Sequence, residues 1–214
     1  MTGRLPIDRP KLLGDLEARA DRRRELYEPH VAPLTRFVES LRVQVGPEAA
    51  IPYFDPWDGG VSAEVLFLLE APGAKAVTSE FVSRNNPDET ARNFFELNAA
   101  AGIPRNRTVA WNIVPWYIGS ATRIRAANRS DILRGLESLT ELLPLLPELR
   151  AVVLLGHKAE AAAELITQLR PVLRLFRSPH PSPLYVNRKP GNRDRILTVL
   201  CDLAVFLRGP DPAA

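Results

Sequence analysis

Residues 65–76 read VLFLLEAPGAKA: five apolar residues, then a carboxylate, small residues and a glycine. An apolar run of this length that ends in a turn signal is typical of a buried β-strand. The Glu70-Ala71-Pro72-Gly73 sequence that follows is either a plain tight turn or a loop whose small residues let the backbone approach a ligand closely. The stretch therefore predicts a buried strand that runs directly into a strand-end loop.

The same pattern recurs along the chain, where apolar runs are separated by helical patterns. Strands are predicted at Val65–Leu69, Thr108–Val114, Ala151–Leu155 and Val172–Phe176. Apolar residues spaced three and four apart predict helices at Thr90–Ala101, Asp131–Leu143 with Ser130 as N-cap, Lys158–Leu169 and Asp194–Leu207. Continuous apolar strands that alternate with helices indicate an α/β fold. Its parallel sheet is covered on both faces, and its ligand site lies at the carboxyl ends of the strands.

The N-terminal third has a different pattern. Residues 12–41 are charged and periodic, with Pro29 and Pro33 between two apolar stripes, which predicts two helices that meet at a kink. Residues 46–60 mix prolines, aromatic residues and glycines, as a structured loop does. We therefore predict three parts: an N-terminal helical cover and entry loop (1–60), the principal domain (61–208) and a disordered tail (209–214).

The composition limits the class of protein. The 214 residues are 45% hydrophobic and 25% charged, which fits one soluble globular domain with an appendage. No apolar run approaches the roughly twenty residues of a membrane span, and the first residues lack the apolar core of a signal peptide. A single cysteine, Cys201, excludes a disulfide within the chain, an all-cysteine zinc site and a cysteine-ligated iron–sulfur cluster. These features predict a cytoplasmic protein.

The positive charge is carried mostly by arginine. Of 28 basic residues four are lysine, so 24 are arginine, and the formal net charge is +3. Arginine suits bidentate contact with phosphate or carboxylate, and its excess is equally a compositional bias of GC-rich genomes. The charge therefore permits an anionic partner without requiring one. Neither GxGxxG nor GxxxxGK(S/T) occurs, which argues against dinucleotide and P-loop chemistry.

Two later strand-end loops carry candidate site residues. Asn112 emerges from the second predicted strand in WNIVPWY (111–117), where its amide either caps the loop or offers a donor and an acceptor to a ligand. His180 lies in RSPHPSPLYVNRK (177–189), where three prolines predict a rigid, non-helical loop that aims the imidazole at an anion. His157, at a predicted helix start, is either a cap or phosphate contact or a surface residue.

Three sequence elements together resemble the uracil-DNA glycosylase superfamily: Glu70-Ala71-Pro72-Gly73, Asn112, and His180-Pro181-Ser182-Pro183-Leu184. They occur in that order, each at a strand end, and the resemblance covers roughly Val65 to Leu207. It implies a three-layer α/β/α sandwich around a central, mainly parallel four-stranded sheet. It also implies an enzyme that flips a base out of DNA and cleaves the bond between base and sugar.

The resemblance also assigns roles to individual positions. The implied catalytic residues are Glu70, Asn112 and His180; Asn112 would read the flipped base, and His180 would bond to the carbonyl oxygen that gains charge as the base leaves. The base would also meet Ala71 and stack on Phe81. The implied DNA contacts are Pro181, Ser182, Pro183, Leu184, Tyr185, Arg188, Lys189 and Arg193. Of these, Leu184 and Tyr185 would fill the gap left by the flipped nucleotide. Three further arginines either extend the basic surface formed by these DNA contacts or lie in a solvated loop: Arg123, Arg125 and Arg129.

The sequence departs from the family pattern at two points. One branch of the family has an aspartate that positions water where this chain has Ala71. The branch with the Glu-Ala-Pro-Gly motif carries an iron–sulfur cluster that a single cysteine cannot hold, so we expect no cofactor and no metal. The polar segment 82–93 offers Asn85, Asn86 and Asp88 to orient water or to recognise a base larger than uracil. Alternatively, it is a solvated loop with Asp88 or Thr90 as the N-cap of a helix.

Three functions fit these features to different degrees. The first is a monofunctional DNA glycosylase that excises uracil or a related base and leaves an abasic site, acting as a monomer on double- or single-stranded DNA. A variant of it is specific for a bulkier modified base in viral DNA and serves phage defence. The second is a non-catalytic DNA-binding relative, which the missing aspartate favours and which Asn112 and His180 oppose. The third, an unrelated α/β enzyme of small phosphorylated molecules, is disfavoured by the absence of a phosphate-binding loop.

Overall fold

The structure is a computed structural model that describes residues 7–119 and 125–209; Arg123 and the predicted tail beyond Gly209 lie outside them. The helices are α1 (Leu16–Arg24), α2 (Ala32–Val45), α3 (Ala74–Ser79), α4 (Glu89–Ala100), α5 (Arg129–Leu142), α6 (Ala163–Leu169), α7 (Pro183–Val186) and α8 (Asn192–Arg208). The strands are β1 (Tyr53–Phe54), β2 (Val65–Leu69), β3 (Phe81–Val82), β4 (Thr108–Asn112), β5 (Ala151–Leu155) and β6 (Arg174–Ser178). Among the helices of the described segments, none is long and apolar enough to cross a bilayer.

Strands β2, β4, β5 and β6 form one parallel sheet in the spatial order β4-β2-β5-β6. Val65 of β2 pairs with Thr108 on one side and with Ala151 on the other, and Ala151 pairs in turn with Arg174. Because the strands are parallel, all four end at the same edge of the sheet. In an open parallel sheet, ligands bind at this edge, where connections leave a central strand toward opposite sides.

Helices cover both faces of the sheet. Side chains alternate along β4, so that Trp111 lies on one face and Asn112 on the other. Trp111 packs edge-on against Phe37 of α2, with ring centroids 5.9 Å apart. On the opposite face, Phe67 of β2 packs edge-on against Phe94 of α4 at 4.9 Å. The predicted α/β sandwich around a parallel four-stranded sheet is therefore confirmed.

Helix α2 and its N-cap residue share the core of the sheet. Val31, Leu34 and Phe37 are buried in the same apolar core as Leu66 and Trp111. The strand β1 pairs in parallel with β3 and forms a second sheet of two short strands. The two predicted N-terminal helices are α1 and α2, which are separated by a short turn. Helix α2 therefore covers one face of the sheet.

Several element boundaries differ from the predicted ones for local reasons. Strand β6 begins at Arg174, two residues after the predicted start, and β4 ends at Asn112 instead of Val114. The N-cap of α5 is Asn128, not Ser130, because Asn128 and Asp131 form a reciprocal capping box. The predicted helix at 158–169 begins as a 3₁₀ turn and becomes α-helical only at α6.

The loop around His180 is partly helical, which corrects the prediction of a non-helical loop. Pro183 is the first residue of α7, where its fixed φ and its missing N–H suit a helix start. The helix α3 and the strands β1 and β3 are not predicted from the sequence. Elements of six and two residues are too short to show a periodic pattern.

Candidate active site

A cavity of about 470 Å³ opens at the carboxyl edge of the sheet. Its lining comes from the turn after β2, from the segment between β3 and α4, from α4 and from the end of β4. His180, in the loop after β6, also belongs to the lining. The apolar side chains of Val82 and Phe94 are thus combined with the polar groups of Asn112 and His180. A mostly apolar cavity with a few polar groups is the usual form of a site for a small organic ligand.

Asn112 is the last residue of β4 and lines the cavity. It lies on the same face of the strand as Ala110, which is also part of the lining. The residue is only 3% exposed, yet its amide has no hydrogen-bond partner among the residues that the structure describes. It caps none of the described residues of its own loop, so the alternative interpretation is not supported there. A nearly buried amide with a free donor and a free acceptor is available to the edge of a ligand.

Two features of neighbouring segments hold His180 at the cavity. Asn93 of α4 donates a hydrogen bond from Nδ2 to the carbonyl oxygen of Pro181 at 2.9 Å. Gly156, which follows β5, has φ +87°, and a Cβ on it would lie 3.1 Å from the Cβ of His180. Glycine adopts this backbone conformation without strain and leaves room for the histidine. The imidazole reaches the cavity and has no hydrogen-bond partner in the described parts of the chain.

Burial lowers the pKa of His180 from its usual value of 6.5, and the carboxylates of Glu70 and Asp88 offset part of this effect. The ring is therefore neutral at neutral pH. A neutral imidazole donates one hydrogen bond and accepts another, so it polarises a carbonyl oxygen without bringing a charge into the cavity.

The lowered pKa of His180 predicts a pH dependence of stability. Between the folded pKa and 6.5, the unfolded chain binds more protons at this ring than the folded protein does. The contribution of His180 to the free energy of unfolding is therefore complete above about pH 6.5 and is lost as the pH falls below it. Chemical denaturation of the wild type and of His180→Gln at about pH 7.5 and about pH 5.5 measures this effect. We expect the wild type to lose more stability than the variant; equal losses would contradict the prediction.

Glu70 anchors the segment that precedes α5. Its Oε1 accepts a hydrogen bond from the backbone N–H of Ala127 at 2.7 Å. Lys158 donates to the carbonyl oxygen of Ala127 at 2.7 Å. The carboxylate does not line the cavity, although it lies close enough to His180 to affect its pKa. The next residue, Ala71, is part of the lining. The described contacts thus give Glu70 a structural and electrostatic role.

Phe81 does not reach the cavity, contrary to the role that the resemblance implies. Its side chain is fully buried and packs against Leu13 and Leu26 of the N-terminal segment. Because successive side chains of a strand point to opposite sides, Val82 lines the cavity instead. A phenyl ring in the lining comes from Phe94 of α4, which helical spacing marks only as a core residue.

Two of the three polar residues predicted to orient water are already engaged. Asn85 is buried behind the cavity and does not line it; its Oδ1 accepts a hydrogen bond from Arg22 at 3.1 Å. Asn86 lines the cavity, but its Nδ2 donates to the carbonyl oxygen of Phe81 at 2.9 Å and its Oδ1 accepts from the hydroxyl of Ser79 at 2.6 Å. These contacts fix the amide of Asn86 within the protein.

Asp88 has one carboxylate oxygen left for the cavity. It is the N-cap of α4, and its Oδ1 accepts a hydrogen bond from the backbone N–H of Ala91 at 2.9 Å. The capping interpretation of this segment is therefore right for Asp88 and not for Thr90. Asp88 also lines the cavity, and its Oδ2 has no hydrogen-bond partner among the described residues.

The segment after His180 presents one apolar side chain to solvent. Pro181 is buried, Ser182 is the N-cap residue of α7, and Pro183 and Tyr185 are half-buried residues of that helix. Leu184, in the same helix, is 86% exposed. An exposed leucine in the helix that follows His180 is available to a partner surface.

The predicted basic contacts divide into free and engaged side chains. Arg188 and Lys189 are exposed just after α7 and have no partner among the described residues. Arg193 donates a hydrogen bond to Glu96 at 3.0 Å, so its guanidinium serves the packing of α8 on α4. Arg125 forms an ion pair at the start of α5, and Arg129 is exposed.

No group of three or more His, Cys, Asp or Glu side chains within residues 7–119 and 125–209 is arranged to hold a metal ion.

Comparisons with known proteins identify a family and similar solved structures. The family model of the uracil DNA glycosylase superfamily matches residues 56–204. The crystal structure of wild-type SMUG2 from Pedobacter heparinus is similar, with a TM-score of 0.54 and 13% identity over 86% of this chain and 87% of that one. A solution NMR structure from Methanosarcina acetivorans, provisionally described as a uracil DNA glycosylase, has a TM-score of 0.45 and 18% identity over 66% of this chain and 91% of that one. No curated protein matches the chain. Because the family model matches more than half of its residues, the chain belongs to the uracil DNA glycosylase superfamily.

Proposed function

We propose that this chain is a monofunctional DNA glycosylase, which flips a base out of DNA and hydrolyses its N-glycosidic bond to leave an abasic site. The observation that carries the proposal is a pair of polar side chains, Asn112 and His180, that share one cavity at the carboxyl edge of the sheet and have no hydrogen-bond partner among residues 7–119 and 125–209. A duplex hides the base, so an enzyme that acts on this bond must extrude the nucleotide into such a pocket. A monomer that acts in the cytoplasm is part of the same proposal.

Each of the polar residues of the cavity has a separate role in the proposed reaction. The amide of Asn112 binds the hydrogen-bonding edge of the flipped base. As the bond between base and sugar breaks, its electron pair moves onto the base, and the neutral His180 donates a hydrogen bond to the carbonyl oxygen that gains the charge. Water adds its oxygen to the sugar carbon, and the proton it releases ends on the departing base. The free Oδ2 of Asp88 is the group we assign to orient that water.

The size of the cavity favours a second candidate substrate, a base larger than uracil. About 470 Å³ lies within the range of about 300 to 1,000 Å³ that holds drug-sized ligands, whereas a pyrimidine has only a handful of heavy atoms. A modified base with a bulky substituent, as in modified viral DNA, would fill more of this volume. Such a substrate would make the protein a phage-defence enzyme, while uracil would make it a repair enzyme.

The experiment that tests the proposal uses duplexes with a single uracil, hypoxanthine, xanthine or 5-hydroxymethylcytosine. Each duplex is incubated with wild type or with His180→Ala, and abasic sites are then cleaved with alkali. We expect strand breaks above the His180→Ala level for at least one base. Their absence with every base would rule out excision of these substrates; salt-dependent DNA binding without excision would favour the non-catalytic alternative.

Leu184→Ala is expected to impair excision from double-stranded DNA much more than from single-stranded DNA. In a duplex the exposed Leu184 would fill the space that the flipped base vacates, and this stabilises the extruded state. A single strand has no such stack to fill. Excision rates on matched single- and double-stranded substrates, at enzyme concentrations that saturate both, measure the effect. Equal losses on the two substrates would show that Leu184 does not act as a wedge.

A further inference from the structure

Five charged side chains lie together behind the cavity and form what we call the buried charge cluster: Arg22, Asp55, Asp58, Arg84 and Arg105. Arg22 comes from α1, and its side chain is only 1% exposed. Burying a charge lowers stability unless the charge finds a partner. Even a paired buried charge often stabilises the fold no more than a well-packed apolar residue of similar volume would. A cluster of this kind therefore suggests a purpose in addition to stability.

Asp55 is the centre of the buried charge cluster. Its Oδ1 accepts a hydrogen bond from Nη1 of Arg22 at 2.6 Å, and its Oδ2 accepts one from Nη2 of Arg105 at 2.6 Å. Ser83 donates its hydroxyl hydrogen to the same Oδ2. Burial by itself would raise the pKa of Asp55, but Arg105 and Arg22 outweigh burial and hold the pKa below its usual range. The carboxylate is therefore charged, and it binds Ser83 through a charge-assisted hydrogen bond.

Arg22 also reaches a second residue of the segment that contains Ser83. Its Nη2 donates to Oδ1 of Asn85 at 3.1 Å. The backbone N–H of Leu13, just before α1, donates to the carbonyl oxygen of Asn85 at 3.0 Å. The guanidinium of Arg22 thus bridges Asp55 and Asn85, and the N-terminal segment holds Asn85 by both its side chain and its backbone.

The same segment forms one side of the cavity. Residues 82–88, which we call the cavity wall, contribute Val82, Ser83, Asn86 and Asp88 to the lining. The wall runs from the last residue of the two-residue strand β3 to the N-cap of α4, so it has little regular structure of its own. Its position therefore depends on side-chain contacts from behind.

We propose that Arg22 is a positioning residue for the base cavity: through Asp55 and Asn85 it fixes the cavity wall that meets the flipped base. The inference rests on the proposed glycosylase function. Arg22 and Asp55 both precede residue 56, where the family match begins, so this contribution comes from the N-terminal segment. The N-terminal segment then takes part in substrate binding besides covering the core.

The test compares Arg22→Met with Arg24→Met as the matched control. Arg24 lies on the same helix, is 72% exposed and pairs with Asp21 within that helix. Arg22→Met leaves a buried carboxylate with one partner fewer, which threatens folding. The double variant Arg22→Met with Asp55→Asn is therefore measured beside it, because it removes the charge together with its partner.

The first readout distinguishes contacts with the flipped base from contacts with the rest of the DNA. Steady-state excision is measured on the panel duplex that the wild type cuts fastest, and binding is measured on a duplex with a tetrahydrofuran abasic-site analogue, which has no base. For both Arg22 variants we expect a higher KM and a kcat/KM about 10- to 100-fold lower, with affinity for the analogue unchanged. Arg24→Met should behave as wild type. Equal losses on both duplexes would indicate a merely structural role and overturn the proposal.

The second readout, amide hydrogen exchange across residues 82–91, requires no activity. We expect exchange about tenfold faster in both Arg22 variants than in wild type and Arg24→Met. Unchanged exchange in the double variant overturns the proposal, whatever the excision results. If the wild type excises no base, the glycosylase function fails, and this readout still decides whether Arg22 holds the cavity wall.

Discussion

Replacing His180 by alanine is expected to lower the rate constant of base excision by about 100- to 1,000-fold. A preorganised donor aimed at developing negative charge contributes about 2.7 to 4 kcal/mol to the stability of the transition state. His180 lines the cavity, its burial keeps the ring neutral, and the described residues offer its imidazole no competing partner. Because the charge appears only as the bond breaks, the loss should fall on the chemical step and not on DNA binding.

Single-turnover excision with the protein in excess measures this step for His180→Ala. The matched control is His157→Ala, since His157 is exposed in the neighbouring strand-end loop and does not line the cavity. Affinity for a duplex with a tetrahydrofuran abasic-site analogue should be the same for wild type and both variants. A His180→Ala rate within about threefold of wild type would remove His180 from the reaction.

Changing Asn112 to aspartate is expected to alter which base is excised more than it alters affinity for DNA. The amide offers a donor and an acceptor to the edge of a base, whereas an ionised carboxylate only accepts. Because the residue is only 3% exposed, little water can reach it to replace the lost donor. A bidentate contact discriminates between bases by about 1 to 3 kcal/mol, so excision of uracil should fall about 10- to 100-fold.

The excision rates of Asn112→Asp across the panel of damaged and modified bases test this prediction. Asn106→Asp is the matched control, because it makes the same chemical change at an exposed residue away from the cavity lining. Affinity for the abasic-analogue duplex should be similar in wild type and both variants. A uniform loss of excision for every base, together with an equal loss of affinity, would show that Asn112 does not read the base.

The central sheet could be predicted because its signal is local. Val65–Leu69 and Ala151–Leu155 have the predicted bounds, since strands buried on both faces are continuous apolar runs. The last strand is displaced by two residues, because Arg174 and Arg177 interrupt the apolar pattern at the edge of the sheet. The family resemblance, which depends on the strand-end loops, is confirmed by the family match.

The candidate site could be predicted only where a residue lies near the end of a strand. Asn112 lies near the end of one predicted strand and His180 follows another, and the ends of parallel strands share one edge, so the sequence places both residues at that edge. The direction in which the side chains of β3 point could not be predicted in this way. Phe81 and Val82 are both apolar, and a strand of two residues has no period that says which of them lines the cavity.

The sequence by itself determined the alternation of strands and helices, the edge of the sheet that carries the candidate site, and the family, because these depend on residues close together in the chain. Only the tertiary structure decided which polar side chains are engaged and which are free. Asp55 lies 33 residues from Arg22, and Asn85 lies 63 residues from it, yet one guanidinium binds both. Contacts of this kind depend on how α1 packs against the cavity wall, and no local pattern of residues encodes that packing.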